Sequence, residues 1–286
     1  MNIDENVVES IVKRVVSQLS TETASAQTCP SGGDWGVFES MNDAVDAAVE
    51  AQREYLNRSM HDRACYVQAI RDVVLDQENL EYISRLAVEE TGMGGYEYKL
   101  IKNRLAAVKT PGIEDLTTDA MSGDDGLTLV EYSPFGVIGS ITPTTNPTET
   151  IICNSIGMLA AGNAVVFSPH PRAKKVSLHL IQLINKALCK AGAPANLVVT
   201  VSAPSIENTN AMMSHPKIRM LVATGGPAIV KTVLSSGKKA IGAGAGDPLF
   251  TVDDLLPHLG VEQSKKPLSE AIPAESLNIL VGSRPF

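Results

Sequence analysis

The sequence predicts an α/β domain built on a doubly wound, mostly parallel sheet of five strands. Five short apolar runs occur between residues 136 and 246, and stretches with helical periodicity fill the gaps between them. Strands that are apolar at nearly every position, rather than at alternate positions, are typical of parallel sheets covered by helices on both faces. The alternation of these two patterns along the chain predicts the fold class.

The predicted elements follow one another in a regular order. The strand-like runs are GVIGSITP (136–143), AVVFSP (164–169), NLVVTV (196–201), MLVATGG (220–226) and KAIGAGAG (239–246). Helical spacing of apolar residues predicts the intervening helices at about 148–161, 173–191, 205–213 and 227–235. The same spacing from about 42 to 103 predicts helical segments that precede the sheet, and residues 127–132 alternate as a half-exposed strand does.

The first 19 residues have the pattern of an amphipathic helix that has no evident place in the sheet. Its apolar residues recur at three- and four-residue steps, and they are Val8, Ile11, Val12, Val15, Val16 and Leu19. Residues 20–34 are rich in Ser, Thr, Ala and Gly, which predicts a flexible linker. A tethered amphipathic helix suits docking into a groove of another protein. One alternative is that the helix folds back on its own domain. Binding to a membrane surface is disfavoured, because anionic lipid attracts a strongly basic polar face and this helix does not have one.

Charge and composition narrow the class of partner. The formal net charge is −8, whereas nucleic-acid binding relies on a basic surface, so no nucleic-acid partner is expected. The sequence has no run of about 18 apolar residues and no secretory signal pattern, so we expect no membrane span and a cytoplasmic location. The four cysteines are widely separated and show no Cys/His spacing typical of a metal site, so no metal is expected.

The carboxyl ends of three predicted strands are rich in small and polar residues. In doubly wound sheets ligands bind at this edge, where helix N-termini present free N–H groups. Gly225 and Gly226 allow a ligand to approach the backbone closely, and Pro227 can begin a helix without losing a needed donor. The residues at these edges are Thr142, Pro143, Thr144, Thr145, Asn146, Ser168, Pro169, His170, Thr224, Gly225 and Gly226. The last strand ends in GAGAG, with Gly242 and Gly244, which by itself is weak evidence of a nucleotide site.

Several stretches in these regions resemble the aldehyde dehydrogenase family, and within it the branch that acylates CoA. The stretches are EETGMGGYEYKLIKN (89–103), SPFGVIGSITPTTNPTET (133–150), LAAGNAVVFSPHPRAKK (159–175), LVATGGPAIV (221–230) and IGAGAG (241–246). The resemblance implies that residues 35–246 form the NAD-binding domain of this family and that residues 127–132 form one strand of an oligomerisation ribbon. It implies a reaction in which a short aldehyde, NAD and CoA give acyl-CoA and NADH through a cysteine thiolate. The alternative cofactor is NADP.

The resemblance also implies roles for individual residues. The segment 142–144 matches the loop beside the nicotinamide, and Asn146 is the candidate donor to the developing oxyanion. Hydrolytic relatives place this asparagine one position earlier, where this sequence has Thr145. The alternative for Asn146 is a turn residue that satisfies its own backbone before Pro147.

Three further segments match the cofactor side of the family's site. The segment 168–170 replaces a lysine-containing segment that holds the adenosine ribose, and His170 either contacts the ribose or a phosphate or is an exposed loop residue. The segment 224–226 matches the helix start beside the pyrophosphate. The segment with Gly242 and Gly244 stands where hydrolytic relatives keep a glutamate base, which agrees with CoA rather than water as the acyl acceptor.

The resemblance ends near residue 246. Residues 247–286 match nothing in the family and contain no cysteine, so we expect the nucleophilic cysteine of the catalytic domain to be absent from this chain. Cys153 is predicted to be an inert thiol in a buried helix. The chain is therefore expected to supply the cofactor-binding part and to be inactive alone. A truncated product, a fusion or a shortened paralogue would each account for the tail.

The resemblance finally implies partners. Family members that work inside bacterial microcompartments carry an amphipathic helix and a linker at the front that direct them to the protein shell, so residues 1–19 are expected to bind a shell protein. The full-length family is expected to form homo-oligomers. Two alternative functions stay open: a non-catalytic nucleotide-binding or shell-docking module, and a related NADP-dependent semialdehyde or acyl-phosphate reductase.

Overall fold

A computed structural model describes residues 32–244 of the chain. The predicted docking helix at 1–19, the linker as far as residue 31 and the unassigned tail at 247–286 lie outside the described residues. The predictions made for those segments are therefore not tested by the structure.

Four helices precede the main part of the sheet, and the first three begin or end at a residue suited to that position. They are α1 (Met41–Tyr55), α2 (Met60–Leu75), α3 (Gln77–Thr91) and α4 (Tyr96–Lys109). The Ser40 hydroxyl caps α1, and Ser59 and Asp62 form a reciprocal capping box at the start of α2. Helix α3 ends at Gly92, whose left-handed backbone conformation suits glycine.

The central sheet contains six parallel strands, with helices in the connections between them. The strands are β1 (Val37–Phe38), β4 (Val137–Ile141), β5 (Ala164–Ser168), β6 (Val198–Val201), β7 (Ile218–Thr224) and β8 (Lys239–Ala243), and their order in the sheet is β1-β6-β5-β4-β7-β8. The connecting helices are α5 (Pro147–Ala160), α6 (Lys174–Lys190), α7 (Ile206–Ser214) and α8 (Pro227–Leu234). Every residue of β4, β5 and β6 is buried, as expected for central strands covered on both faces. The predicted fold class is confirmed.

The predicted number of five strands requires a correction, because the sheet has a sixth strand at one edge. Strand β1 comprises two residues, Val37 and Phe38, and pairs in parallel with β6. The buried Asn185 side chain holds this edge by donating to the carbonyl oxygens of Trp35 and Val198, at 3.0 and 2.6 Å. A strand of two residues has no detectable periodicity, so tertiary hydrogen bonds define it.

Residues 119–130 form a separate antiparallel hairpin. Strands β2 (Asp119–Gly123) and β3 (Gly126–Val130) pair with Asp119 opposite Val130. The predicted strand is present, but it is exposed along its whole length rather than on one face, and Met121, Leu127 and Leu129 are all open to solvent. An isolated two-stranded ribbon is marginally stable in water, and these apolar side chains are not covered by any other described residues.

Candidate functional site

Three loops meet in one crevice at the carboxyl edge of the sheet. The loops follow β4, β5 and β7, and helix α7 closes one side of a cavity of about 620 Å³. The lining includes every cofactor residue predicted at these three strand ends, namely Thr142, Pro143, Thr144, Ser168, Pro169, His170, Thr224, Gly225 and Gly226. The structure thus brings together residues that are as far as 84 positions apart in the chain (226 − 142 = 84).

The strand order explains why these loops converge. Strand β4 lies between β5 and β7, and its last residue, Ile141, is in register with Ser168 on one side and Ala223 on the other. The three strands therefore end at almost the same level. The backbone N–H of Thr142 also donates to the carbonyl oxygen of Ser168 at 3.2 Å, which ties the first two loops together.

Thr142 contributes a buried hydroxyl to the wall of the crevice. Its side chain is 2% exposed, and its Oγ1 atom has no hydrogen-bond partner among the described residues. The neighbouring hydroxyl of Ser168 is already engaged with Thr209 Oγ1 at 2.7 Å. A buried hydroxyl without a partner costs free energy, and this one belongs to a residue that lines the crevice.

His170 lies at the rim of the crevice as a neutral imidazole. Partial burial of the ring and then the nearby charge of Arg172 lower the pKa of His170 below its ordinary value. Its Nδ1 atom accepts a hydrogen bond of 3.1 Å from the backbone N–H of Arg172. The Nε2–H group is consequently the free donor. His170 can therefore bond to a ribose or phosphate oxygen as a neutral donor, but not as a cation near pH 7.

The start of α8 leaves backbone N–H groups available beside the crevice. Gly226 is the N-cap residue, Pro227 begins the helix, and no side chain caps it. A Cβ atom added at Gly226 would meet nothing within 4 Å, so open space adjoins this helix terminus. An uncapped helix N-terminus next to a cavity is suited to an anionic group such as a pyrophosphate.

The structure does not bring Gly242 and Gly244 into the crevice. Both lie at the exposed edge of the sheet, in and just after β8. A Cβ atom on Gly242 would lie 2.5 Å from Cγ1 of Val230 in α8, so a glycine is needed there for helix–strand packing. Packing alone accounts for Gly242. The cofactor role of both glycines stays a prediction.

Asn146 lies in a second groove, of about 560 Å³, which adjoins the crevice at Thr224. Its side chain makes no capping bond to α5, contrary to the alternative in which it satisfies its own backbone. Instead, its Oδ1 atom accepts a hydrogen bond of 3.1 Å from Nζ of Lys102. Since the amide oxygen is occupied, the amide NH₂ group remains available as a donor.

Cys153 lines the same groove, but as an unreactive thiol. It is half-buried on α5, and the Thr110 hydroxyl donates to its Sγ atom at 3.0 Å. Burial raises the pKa of the Cys153 thiol above its ordinary value. Because the nucleophile in thiol chemistry is the thiolate, this environment disfavours attack by Cys153. No cysteine of residues 32–244 lines the crevice itself.

Two further absences hold for the described part of the chain. No group of three or more His, Cys, Asp and Glu side chains is arranged to hold a metal ion in residues 32–244. No helix in the same residues is both long enough and apolar enough to cross a bilayer.

Comparison with known proteins identifies the family that uses this arrangement. A profile of the aldehyde dehydrogenase family matches residues 36–245. The chain belongs to the aldehyde dehydrogenase family. It lies in the CoA-acylating branch of propanal and acetaldehyde dehydrogenases, since it is 49% identical over 257 residues to the propanal dehydrogenase (CoA-propanoylating) of Salmonella typhimurium. That alignment covers 89% of this chain and 53% of the relative, so the chain spans about half the length of the curated relatives it matches.

Solved structures of aldehyde dehydrogenases share the fold. The propionaldehyde dehydrogenase of Rhodopseudomonas palustris with bound CoA and an acylated cysteine is 77% identical, with a TM-score of 0.74 over 74% of this chain and 48% of that one. An engineered glycolyl-CoA reductase with bound NADP⁺ is 74% identical, with a TM-score of 0.75 over 77% of this chain and 49% of that one. A propionaldehyde dehydrogenase from the fucose utilisation microcompartment of Clostridium phytofermentans is 55% identical, with a TM-score of 0.73 over 75% of this chain and 49% of that one.

Sequence reasoning missed one buried ion pair of this aldehyde dehydrogenase domain. Lys99 in α4 is 2% exposed and contacts the Glu149 carboxylate at 3.0 Å and the Thr145 carbonyl oxygen at 2.6 Å. The available signal was weak. Lys99 shares a helix face with the buried residues Asn103 and Ala106. Two of these three residues are polar, so the face does not have the apolar pattern that predicts a buried helix surface.

Replacing Thr142 by valine tests whether its hydroxyl is free in the absence of ligand. Thr142→Val removes a buried hydroxyl without a partner, so the free energy of unfolding should stay the same or rise by up to about 1 kcal/mol. Thr200→Val is the matched control, because the equally buried Thr200 hydroxyl donates to Phe167 O at 3.0 Å. The control should lose about 1–2 kcal/mol. Urea denaturation measures both, and equal losses would show that the Thr142 hydroxyl has a partner.

Proposed function

We propose that residues 35–246 form the dinucleotide-binding domain of a CoA-acylating aldehyde dehydrogenase and bind NAD in the crevice. The observation that carries this proposal is the convergence of three loops on one cavity at the carboxyl edge of the sheet. The uncapped start of α8 supplies N–H groups suited to the pyrophosphate. Neutral His170 adds a hydrogen-bond donor at the rim.

The proposed reaction converts a short aldehyde, CoA and NAD⁺ into acyl-CoA, NADH and a proton. Bound NAD⁺ supplies the hydride acceptor. Asn146 is the proposed donor to the oxyanion of the attacked carbonyl, because Lys102 occupies its amide oxygen and leaves the NH₂ group free. A cysteine thiolate must attack the aldehyde, and no cysteine of residues 32–244 lines the crevice. The acylated cysteine and CoA found in a relative support the same chemistry.

NADP is the second candidate cofactor. NAD-binding sites commonly hold the ribose 2′-hydroxyl with an acidic side chain. No Asp or Glu side chain lines the crevice within residues 32–244, so no carboxylate there would repel a 2′-phosphate. The NADP⁺ bound to an engineered glycolyl-CoA reductase that is 74% identical supports this candidate.

A second function, a nucleotide-binding or shell-docking module without catalysis, is favoured by one observation. Within residues 32–244 no cysteine lines the crevice, since Cys153 lies in the adjoining groove, where burial raises the pKa of its thiol. We propose that residues 1–19 bind a microcompartment shell protein, which places the protein in a cytoplasmic microcompartment. A relative from such a compartment supports this location. We also propose that the exposed β2–β3 hairpin mediates homo-oligomerisation.

Gly226→Val tests the cofactor site without straining the fold. The backbone of Gly226 has a φ of −67°, and a Cβ atom there meets nothing within 4 Å, so valine should fill part of the crevice without backbone strain. We expect the dissociation constants for NAD⁺ and NADP⁺ to rise at least about tenfold, a loss of roughly 1.4 kcal/mol. Calorimetric titration of the 286-residue chain measures both. Gly123→Val, in the hairpin and equally free of contacts, is the control and should bind as the parent does.

An NADH assay tests whether the 286-residue chain catalyses the proposed reaction by itself. With propanal or acetaldehyde, CoA and NAD⁺, we expect no turnover from the 286-residue chain, because no described cysteine lines the crevice. Absorbance at the NADH band measures the rate. Turnover that disappears when all four cysteines are replaced by serine would favour the complete enzyme. Turnover that survives the replacement would contradict a cysteine mechanism.

Deletion of residues 1–19 tests shell docking. If the apolar face of this segment binds a shell protein, its removal should abolish co-purification with shell proteins, because the buried apolar area that drives docking is lost. NAD⁺ affinity should be unchanged, since the crevice lies within residues 32–244. Unaltered co-purification would refute the docking role.

A further inference from the structure

We infer that Lys99 is a positioning residue: its ammonium group fixes the loop between β4 and α5, and thereby sets the shape of one wall of the crevice. The inference rests on the proposed function only in naming a dinucleotide as the ligand that senses this wall. The loop comprises residues 142–146. Lys99 approaches it from α4, about 45 positions earlier in the chain.

The Lys99 ammonium group is fully engaged. It donates to the backbone carbonyl oxygen of Thr145 at 2.6 Å and to the two carboxylate oxygens of Glu149 at 3.0 and 3.3 Å. The Lys99 side chain is 2% exposed and that of Glu149 is 12% exposed. An ammonium group has three N–H donors and no acceptor, so these three contacts use all of its hydrogen-bonding capacity. The geometry allows little movement of the carbonyl relative to α4.

Packing stability alone does not require this arrangement. Removing two charges from water costs several kcal/mol, and a buried ion pair often contributes no more than apolar side chains of similar volume. Lysine is among the residues least often buried. What the ion pair adds is a specific geometry, since it orients one particular carbonyl group.

The bonded carbonyl belongs to the residue between the two candidate sites. On one side of Thr145, Thr144 lines the crevice, and on the other side Asn146 lies in the adjoining groove. The Thr145 side chain itself is exposed, so Lys99 holds this peptide from the buried side. A shift of the Thr145 carbonyl would consequently move both neighbours.

Glu149 stabilises the arrangement from α5. It lies in the first turn of this helix, where a carboxylate interacts favourably with the helix dipole. The Thr148 hydroxyl donates to its Oε2 atom at 3.0 Å. Lys99 is thus bound to both the loop and the helix that the loop begins, and it connects them to α4 as one unit.

The competing explanation is a purely structural anchor between α4 and α5. An anchor predicts that loss of the ion pair weakens the whole domain and every ligand alike. A positioning residue predicts a local effect, confined to the loop and to the ligand part that contacts it. By the family resemblance, that part is the nicotinamide end, whereas ADP lacks it.

Lys99→Met in the 286-residue chain distinguishes the two. We expect amide hydrogen exchange in peptides covering residues 142–150 to accelerate at least about tenfold, with little change elsewhere in residues 32–244. The dissociation constant for NAD⁺ should rise about tenfold, while that for ADP should change less than about twofold. Lys190→Met is the control, because Lys190 is an exposed lysine at the end of α6 that lines neither the crevice nor the groove, and it should alter neither exchange nor affinity.

Three outcomes would overturn the inference. They are unchanged exchange in the loop, faster exchange spread evenly over the domain, and equal losses of NAD⁺ and ADP affinity. A parent chain that binds neither ligand would refute the proposed function, while the exchange measurement would still test Lys99. If Lys99→Met does not fold, Glu149→Gln keeps the shape of the pair and removes its negative charge. Glu149→Gln should accelerate amide hydrogen exchange in the same peptides, by a smaller factor than Lys99→Met. Unchanged exchange in the loop would again refute the role.

Discussion

The parallel pairing of β4 with both β5 and β7 is the constraint on which the rest of the structure depends. Ile141 is in register with Ser168 and Ala223, so three strands end together and three loops are delivered to one place. Burial of the central strands on both faces stabilises this pairing. The crevice is therefore a consequence of sheet topology, and its chemistry depends on which side chains occupy the loops.

Those side chains are polar groups that the fold keeps at a cost. Thr142 has a buried hydroxyl with no partner in the described residues, and Lys99 and Glu149 are charged groups removed from water. An apolar core would avoid these costs. All three lie in or against the single loop between β4 and α5, beside the cavity.

Much of the fold could be predicted, because long elements carry their period in the chain itself. The strands from β4 to β8 and the helices from α5 to α8 lie within a few residues of the predicted ranges. Strand β1 was missed because two residues have no period. The place of Gly242 could not be foreseen either, since its close contact with Val230 exists only after α8 packs on β8.

By itself, the sequence determined the fold class, the family resemblance and the residues at the three strand ends, because local periodicity and contiguous motifs are properties of neighbouring residues. Only the tertiary structure decided which of those residues share a cavity, that Asn146 lies in an adjoining groove, and that Lys99 holds the Thr145 carbonyl. These contacts join residues tens of positions apart. Their geometry depends on strand register and helix packing, which no local pattern encodes.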